Sequence, residues 1–164
     1  MLLGVFIAII FGANEDFFKN RISAGLQKNA KIIELSQTDT PEAKEALAKF
    51  IDGESSKNWR YYQRFHFHST GIGAMSLGAL LLLLFIAAPL RQILVASYLI
   101  AVGGFLYPFV WLLAGVYGPM MGRDTAKETF AIFGYMGGVF MIGILFAIYL
   151  VARHPLQLGH KQFR

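Results

Sequence analysis

The chain has 164 residues, 55% of them hydrophobic and 15% charged, with a net charge of +5 and no cysteine. A soluble domain carries about 25% charged residues, so this balance points away from an aqueous globule, and the length suits one compact unit. The missing cysteines exclude disulfides, iron–sulfur ligation and thiol catalysis. The pI of about 9.6 would suit nucleic acid, but no basic stretch is long enough to track phosphates. The basic loop ends of a membrane protein give the same balance, and no nucleic-acid partner is expected.

Residues 1–13 are apolar throughout and lack the basic n-region and cleavage site of a secretory leader. They read as a retained first helix. Thirteen residues rise only ~20 Å, and a span needs about 20 residues. The helix is therefore expected over about 2–26, carrying Asn14, Glu15 and Asp16 near the membrane boundary.

A polar loop, 28–60, follows. Within it, Thr40-Pro41-Glu42 is a helix start: Thr as N-cap, Pro at the first position and an acid near the positive end of the dipole. Ala46, Leu47, Phe50 and Ile51 then share one face, and Gly53 stands as a stop. The pattern predicts a short amphipathic helix on the membrane surface or on the bundle, with a solvated connector as the alternative.

Residues 67–90, 92–122 and 129–152 contain no Asp, Glu, Lys or Arg. Each run is long enough to cross a bilayer, and helices are expected at about 62–88, 92–118 and 127–152. Tyr107-Pro108 should bend the third helix by removing one backbone hydrogen bond. Asp124 or Thr125 is a candidate cap for the fourth helix. Short connections make consecutive helices antiparallel neighbours. The expected fold class is all-α: one integral membrane four-helix bundle over 1–164, with one amphipathic loop helix.

Gly118 and Gly122, like Gly134 and Gly138, have the small-xxx-small spacing that permits close helix contact in lipid. Lipid, other membrane subunits or a second copy of the chain are the expected partners. Of the 15 Lys and Arg, only Arg91, Arg153, Lys161 and Arg164 fall on the side opposite the long loop. The positive-inside rule then puts 28–60 in the cytoplasm and both termini outside, as in a bacterial inner-membrane protein.

The stretch from Tyr61 to Gly73 holds most of the candidate chemistry. Ionisable groups at membrane depth are costly and mark functional sites. His66 and His68 lie ~200° apart on a helix, so both cannot ligate one ion from it. The His68 face continues through Gly71, Ile72 and Met75, where glycine leaves a slot for a flat macrocycle, and imidazole is an ordinary axial ligand of haem iron. A histidine at a helix end also serves as a simple hydrogen-bonding residue. Arg64 is placed to bind an acidic headgroup or a haem propionate. Glu15 and Asp16 are candidates for a proton path, or for a helix end running into water. No catalytic triad, zinc helix or phosphate loop is visible.

Arg64-Phe65-His66-Phe67-His68 followed by Gly71, with Gly103-Gly104-Phe105-Leu106-Tyr107-Pro108 later, resembles the histidine-bearing helix of the haem-copper oxidase subunit I superfamily and its small four-helix relatives. The resemblance covers about 60 residues, from Tyr61 to about Gly122. It implies haem b or a quinone-linked electron-transfer setting, with His68 or His66 as axial ligand and the chain as an accessory subunit of a respiratory complex. Helices three and four carry no histidine, so an oxygen-reducing site is excluded. His154 and His160 emerge on the opposite face from His66. A second ligand would have to be a methionine such as Met75, or come from another subunit. The alternatives are a structural or assembly protein without cofactor, and a small proton- or ion-transport subunit.

Overall fold

The structure, a computed structural model, describes residues 1–157, and His160, Lys161 and Arg164 lie outside them. The described residues form eight α-helices: α1 (Leu2–Ala13), α2 (Glu15–Leu26), α3 (Ala30–Ser36), α4 (Pro41–Leu83), α5 (Leu90–Leu106), α6 (Phe109–Met121), α7 (Arg123–Thr129) and α8 (Ala131–Arg153). Three segments are long and apolar enough to cross a membrane: α4, the bent pair Leu90–Met121, and α8. Their outward faces are apolar. On α8, Ile132, Tyr135, Met141, Ile142, Leu145 and Ile148 are 56–71% exposed. A contiguous oily face of this kind suits lipid rather than water.

The first helix is not the single rod expected over 2–26. It breaks at Asn14, whose side chain accepts a hydrogen bond from the Phe17 amide at 3.1 Å and caps α2. Glu15 and Asp16 then occupy the positive end of the new dipole. At 12 residues, α1 rises ~18 Å, short of a span.

The polar loop is also revised. Thr40 caps α4 as expected, accepting from the Ala43 amide at 3.2 Å with Pro41 in the first turn. Gly53 does not end the helix, which runs on for 43 residues. One interior glycine costs only ~1 kcal/mol against alanine, and good helix formers surround this one. The expected amphipathic helix and second span are therefore one rod roughly 64 Å long. Its polar half is covered by α3, where Ile32 packs with Leu47 and Phe50.

At its far end α4 stops at Leu83, and residues 84–89 turn back, tied to the tail of α8 by Ala87 N–H to Pro155 O (3.0 Å) and Gln157 N–H to Phe85 O (2.7 Å). The chain bends at Tyr107-Pro108 as expected, dividing α5 from α6. Neither Asp124 nor Thr125 caps the last span. Gly122, at φ +88°, makes the turn into α7, and Phe130 separates α7 from α8.

Of the two glycine pairs picked out by spacing, Gly118 makes a close contact, with Asn58 2.7 Å from a Cβ placed there, while the Gly134–Gly138 pair does not. A Cβ on Gly138 would meet nothing within 4 Å, and one on Gly134 only Val110 at 3.9 Å. Between α5 and α8, a Cβ on Gly103 would sit 2.8 Å from the Met136 carbonyl, and one on Gly143 would sit 2.7 Å from the Ile100 amide. Overpacking a tight contact costs about 1–3 kcal/mol. Gly103→Leu should therefore lower the melting temperature in detergent or aggregate the protein on size exclusion, while Gly138→Leu should leave the monomer's melting unchanged. Equal effects of the two would place the α5–α8 contact elsewhere.

Candidate functional site

The chemistry-bearing residues sit on both flanks of one buried stripe. Asn58, Tyr61, Tyr62, Phe65 and Ser69 are the buried positions of central α4. At ~100° per residue they cover one face of the helix. His66 projects to one side of Phe65, and Arg64 and His68 to the other.

On the second flank His68 stacks against Trp111 (centroids 5.8 Å, 14° between planes) and meets the Tyr107 ring edge-on at 5.2 Å. The Arg64 guanidinium lies 4.8 Å from the same indole and 5.9 Å from Tyr61, which Lys127 also approaches at 5.9 Å. Two cations, Lys127 and Arg64, and the rings of Tyr61, Trp111, His68 and Tyr107 thus form one column from α7 down to the bend at Pro108. Each exposed cation–π contact is worth about 0.5–1 kcal/mol. The column was not legible in the sequence, because Trp111 is 43 positions beyond His68 and only the α4–α6 packing brings them together.

On the first flank His66 Nδ1 lies 2.8 Å from the Gly4 carbonyl of α1. A carbonyl only accepts, so Nδ1 is the donor, and in the neutral ring the lone pair is then on Nε2. The ring stands edge-on to Phe11 at 6.3 Å and tilted beside Phe67 at 5.2 Å. The two histidines therefore serve different interfaces, as the helical arithmetic required.

The remaining sequence candidates scatter. Gly71 is exposed, and a Cβ there would meet nothing within 4 Å; Met75 is 55% exposed. Beside His68 the expected macrocycle slot is an open outward face. Glu15 and Asp16 are exposed in the first turn of α2, and Glu15 pairs with Lys19 at 3.2 Å. His154 closes α8 near Leu156, which pairs with Ile86 just past the end of α4, and that end lies 17 residues and roughly 26 Å from His66. No group of three or more metal-ligating side chains forms among the described residues.

Two residues not named as site candidates in the sequence join the site. Tyr62 is 2% exposed, and its hydroxyl has no hydrogen-bond partner. It lines a cleft of about 340 Å³ together with Arg21 of α2. A second, apolar cleft of about 470 Å³ adjoins it at Leu3, Phe65 and Phe109. A third, polar cleft of about 520 Å³ lies by Glu54 and Arg123, which pair at 2.9 Å. The Glu54 hydrogen bond pushes the Arg123 guanidinium further up from its ordinary value. Neither His66 nor His68 lines any of the three.

Comparison with protein-family models, curated proteins and solved structures finds no match, so function is argued from this geometry. The column itself makes one prediction. Trp111→Ala removes the ring shared by Arg64 and His68 and should destabilise the protein by about 3 kcal/mol, within the range for losing a large aromatic. His68→Ala, at a half-buried rim position, should cost less than half of that. Thermal unfolding in detergent compares them, and the reverse order would show that Trp111 is not the centre of the contact.

Proposed function

We propose that this protein is a non-catalytic integral membrane subunit that holds a rigid helical arm off the bilayer for a partner protein. The observation supporting this reading is the continuity of α4 from Pro41 to Leu83. Its apolar end matches the three candidate spans, and the 13 residues before Glu54, which pairs with Arg123 just past the uncharged run 92–122, leave roughly 20 Å of helix on the polar side. That arm is braced. Glu54 holds Arg123 in the turn between two spans, Asn58 sits against Gly118, and α3 covers Leu47 and Phe50. A helix serving only as a connector would need no such bracing. The Lys and Arg excess on this side supports a cytoplasmic arm, and the spans remain one bundle with α1 and α2 packed against it.

A photo-crosslinking residue at Glu42, Glu45 or Lys49, all exposed, should give a discrete protein adduct in native membranes. The same residue at Ile148 on the outward face of α8 should give lipid adducts. Breaking the arm with Ala46→Pro, which costs a helix interior about 3 kcal/mol, should abolish the arm adduct and leave the protein in the membrane. Arm positions that label lipid alone would overturn the proposal.

The haem-holding version of an accessory subunit is favoured by one observation. His66 donates Nδ1–H to the Gly4 carbonyl, a bond of the kind that orients a ligating histidine and leaves Nε2 for a metal. His66 would therefore hold the iron in place of His68, whose ring is stacked on Trp111. Haem would supply one-electron transfer, and the second axial ligand would come from a partner. A reduced-minus-oxidised spectrum of the purified complex decides it. An α-band lost in His66→Ala and kept in His68→Ala supports this version; no band, or the opposite pattern, removes it.

A further inference from the structure

We propose that the crevice between α1, α2, α4 and α6 binds one anionic membrane lipid, with its phosphate on Arg21 and the Tyr62 hydroxyl and one acyl chain running inward past Phe65 and Phe109. The crevice holds about 340 Å³, at the lower end of small-ligand pockets and suited to one chain rather than a whole lipid. Its lining is apolar apart from Arg21 and Tyr62. A cation at one end of an otherwise oily slot selects an amphiphile with a negative head.

Depth supports the same orientation. Tyr62 lies on α4 between Glu54, which pairs with Arg123 just past the uncharged run 92–122, and the uncharged run that opens at 67. That is the polar end of the spans. Leu3, Phe65 and Phe109, where the second cleft adjoins, continue the apolar lining inward.

Both polar groups are also open to an anion. Tyr62 is 2% exposed, Arg21 can only donate to it, and no protein group accepts from its buried hydroxyl. Such a group is costly unless something satisfies it. Arg21 stands beside that hydroxyl and makes no ion pair among the described residues, while the nearby Glu15 is engaged by Lys19. A phosphate oxygen would accept from both donors at once.

The test is native mass spectrometry of the full chain in neutral detergent, titrated with dioleoyl phosphatidylglycerol or dioleoyl phosphatidylcholine. One phosphatidylglycerol should be retained, roughly five- to tenfold more tightly than phosphatidylcholine, as one unscreened basic contact to an anionic lipid predicts. Arg21→Gln, an exposed position that folding tolerates, should remove that preference. Tyr62→Phe keeps the ring and should weaken phosphatidylglycerol binding severalfold. Leu112→Trp should fill the crevice and reduce retention of both lipids. Arg91→Gln, at the other end of the spans, should change nothing. Equal retention of the two lipids by the wild type would overturn the proposal, as would a preference that survives Arg21→Gln. Displacement of the lipid by a neutral isoprenoid quinone with equal affinity in wild type and Arg21→Gln would also overturn it, by assigning the crevice to an uncharged head.

Discussion

The contact of α6 with Asn58, Tyr61, Tyr62 and Phe65 of the buried stripe on α4 determines where the other elements lie. With that face occupied, one flank of α4 is left for α1, which offers the Gly4 carbonyl to His66. The other flank meets the α5–α6 bend, where Tyr107 and Trp111 receive His68. The stripe includes a polar residue with no exposure, Asn58. Its amide donates to the Glu54 carbonyl at 2.8 Å, while its oxygen has no partner and would stand 2.7 Å from a Cβ on Gly118. A side chain at 118 would displace the asparagine or separate the helices. Glycine there is a requirement of the contact, and it sets the register of α6 on α4.

Two differently built cores follow from that register. Toward the tail of α8, the buried cluster includes Leu83, Ala96, Ile100, Ala147 and Leu150, with Gly103 and Gly143 bringing backbones together. In lipid, helices gain little from hydrophobic burial on pairing, so small residues and dense van der Waals contact must hold them. Toward the arm, the cluster is Phe18, Ile22, Leu26, Ile32 and Tyr62. It is built of larger side chains on shorter helices, and wherever water reaches such a cluster apolar burial is favourable at about 25 cal/mol per Å². Arg123 and Glu54, with side chains 26% and 14% exposed, pin the turn after α6 to the arm at this boundary. The long helix crosses from one packing regime to the other without a break.

The parts of this arrangement that were legible in the sequence are those set by local chemistry. The three uncharged runs predicted the spanning segments, Thr40-Pro41-Glu42 predicted the start of α4, and Pro108 predicted the bend. The opposed directions of His66 and His68 followed from helical geometry alone. Errors arose where a local signal was read in isolation. Gly53 looked like a stop, but a stop of that kind needs a left-handed backbone, and the one positive-φ glycine among the described residues is Gly122. Asn14-Glu15-Asp16 carried a helix-start signature as plain as that at Thr40, yet the length needed for a span overrode it. The aromatic partner of His68, the carbonyl partner of His66 and the pairing of Arg21 with Tyr62 are long-range contacts. No spacing in the chain specifies them.

The break at Asn14 and the crevice share one cause. A straight helix over 2–26 would follow one neighbour along its whole length. The bend lets α1 lie along α4, with Gly4 against Ser69, while α2 turns to follow α6, with Gly25 against Pro119. Asn29 fixes that second path by donating to the Pro119 carbonyl at 2.9 Å. Where the two helices part, Phe18 covers one side of the Tyr62 ring and the space beside it stays open as the crevice, with Arg21 in its lining. The polar pair and the oily slot are thus products of the same capping residue. A protein that needed only a fourth span would have no use for an asparagine there, since it interrupts the helix just short of the length required to cross.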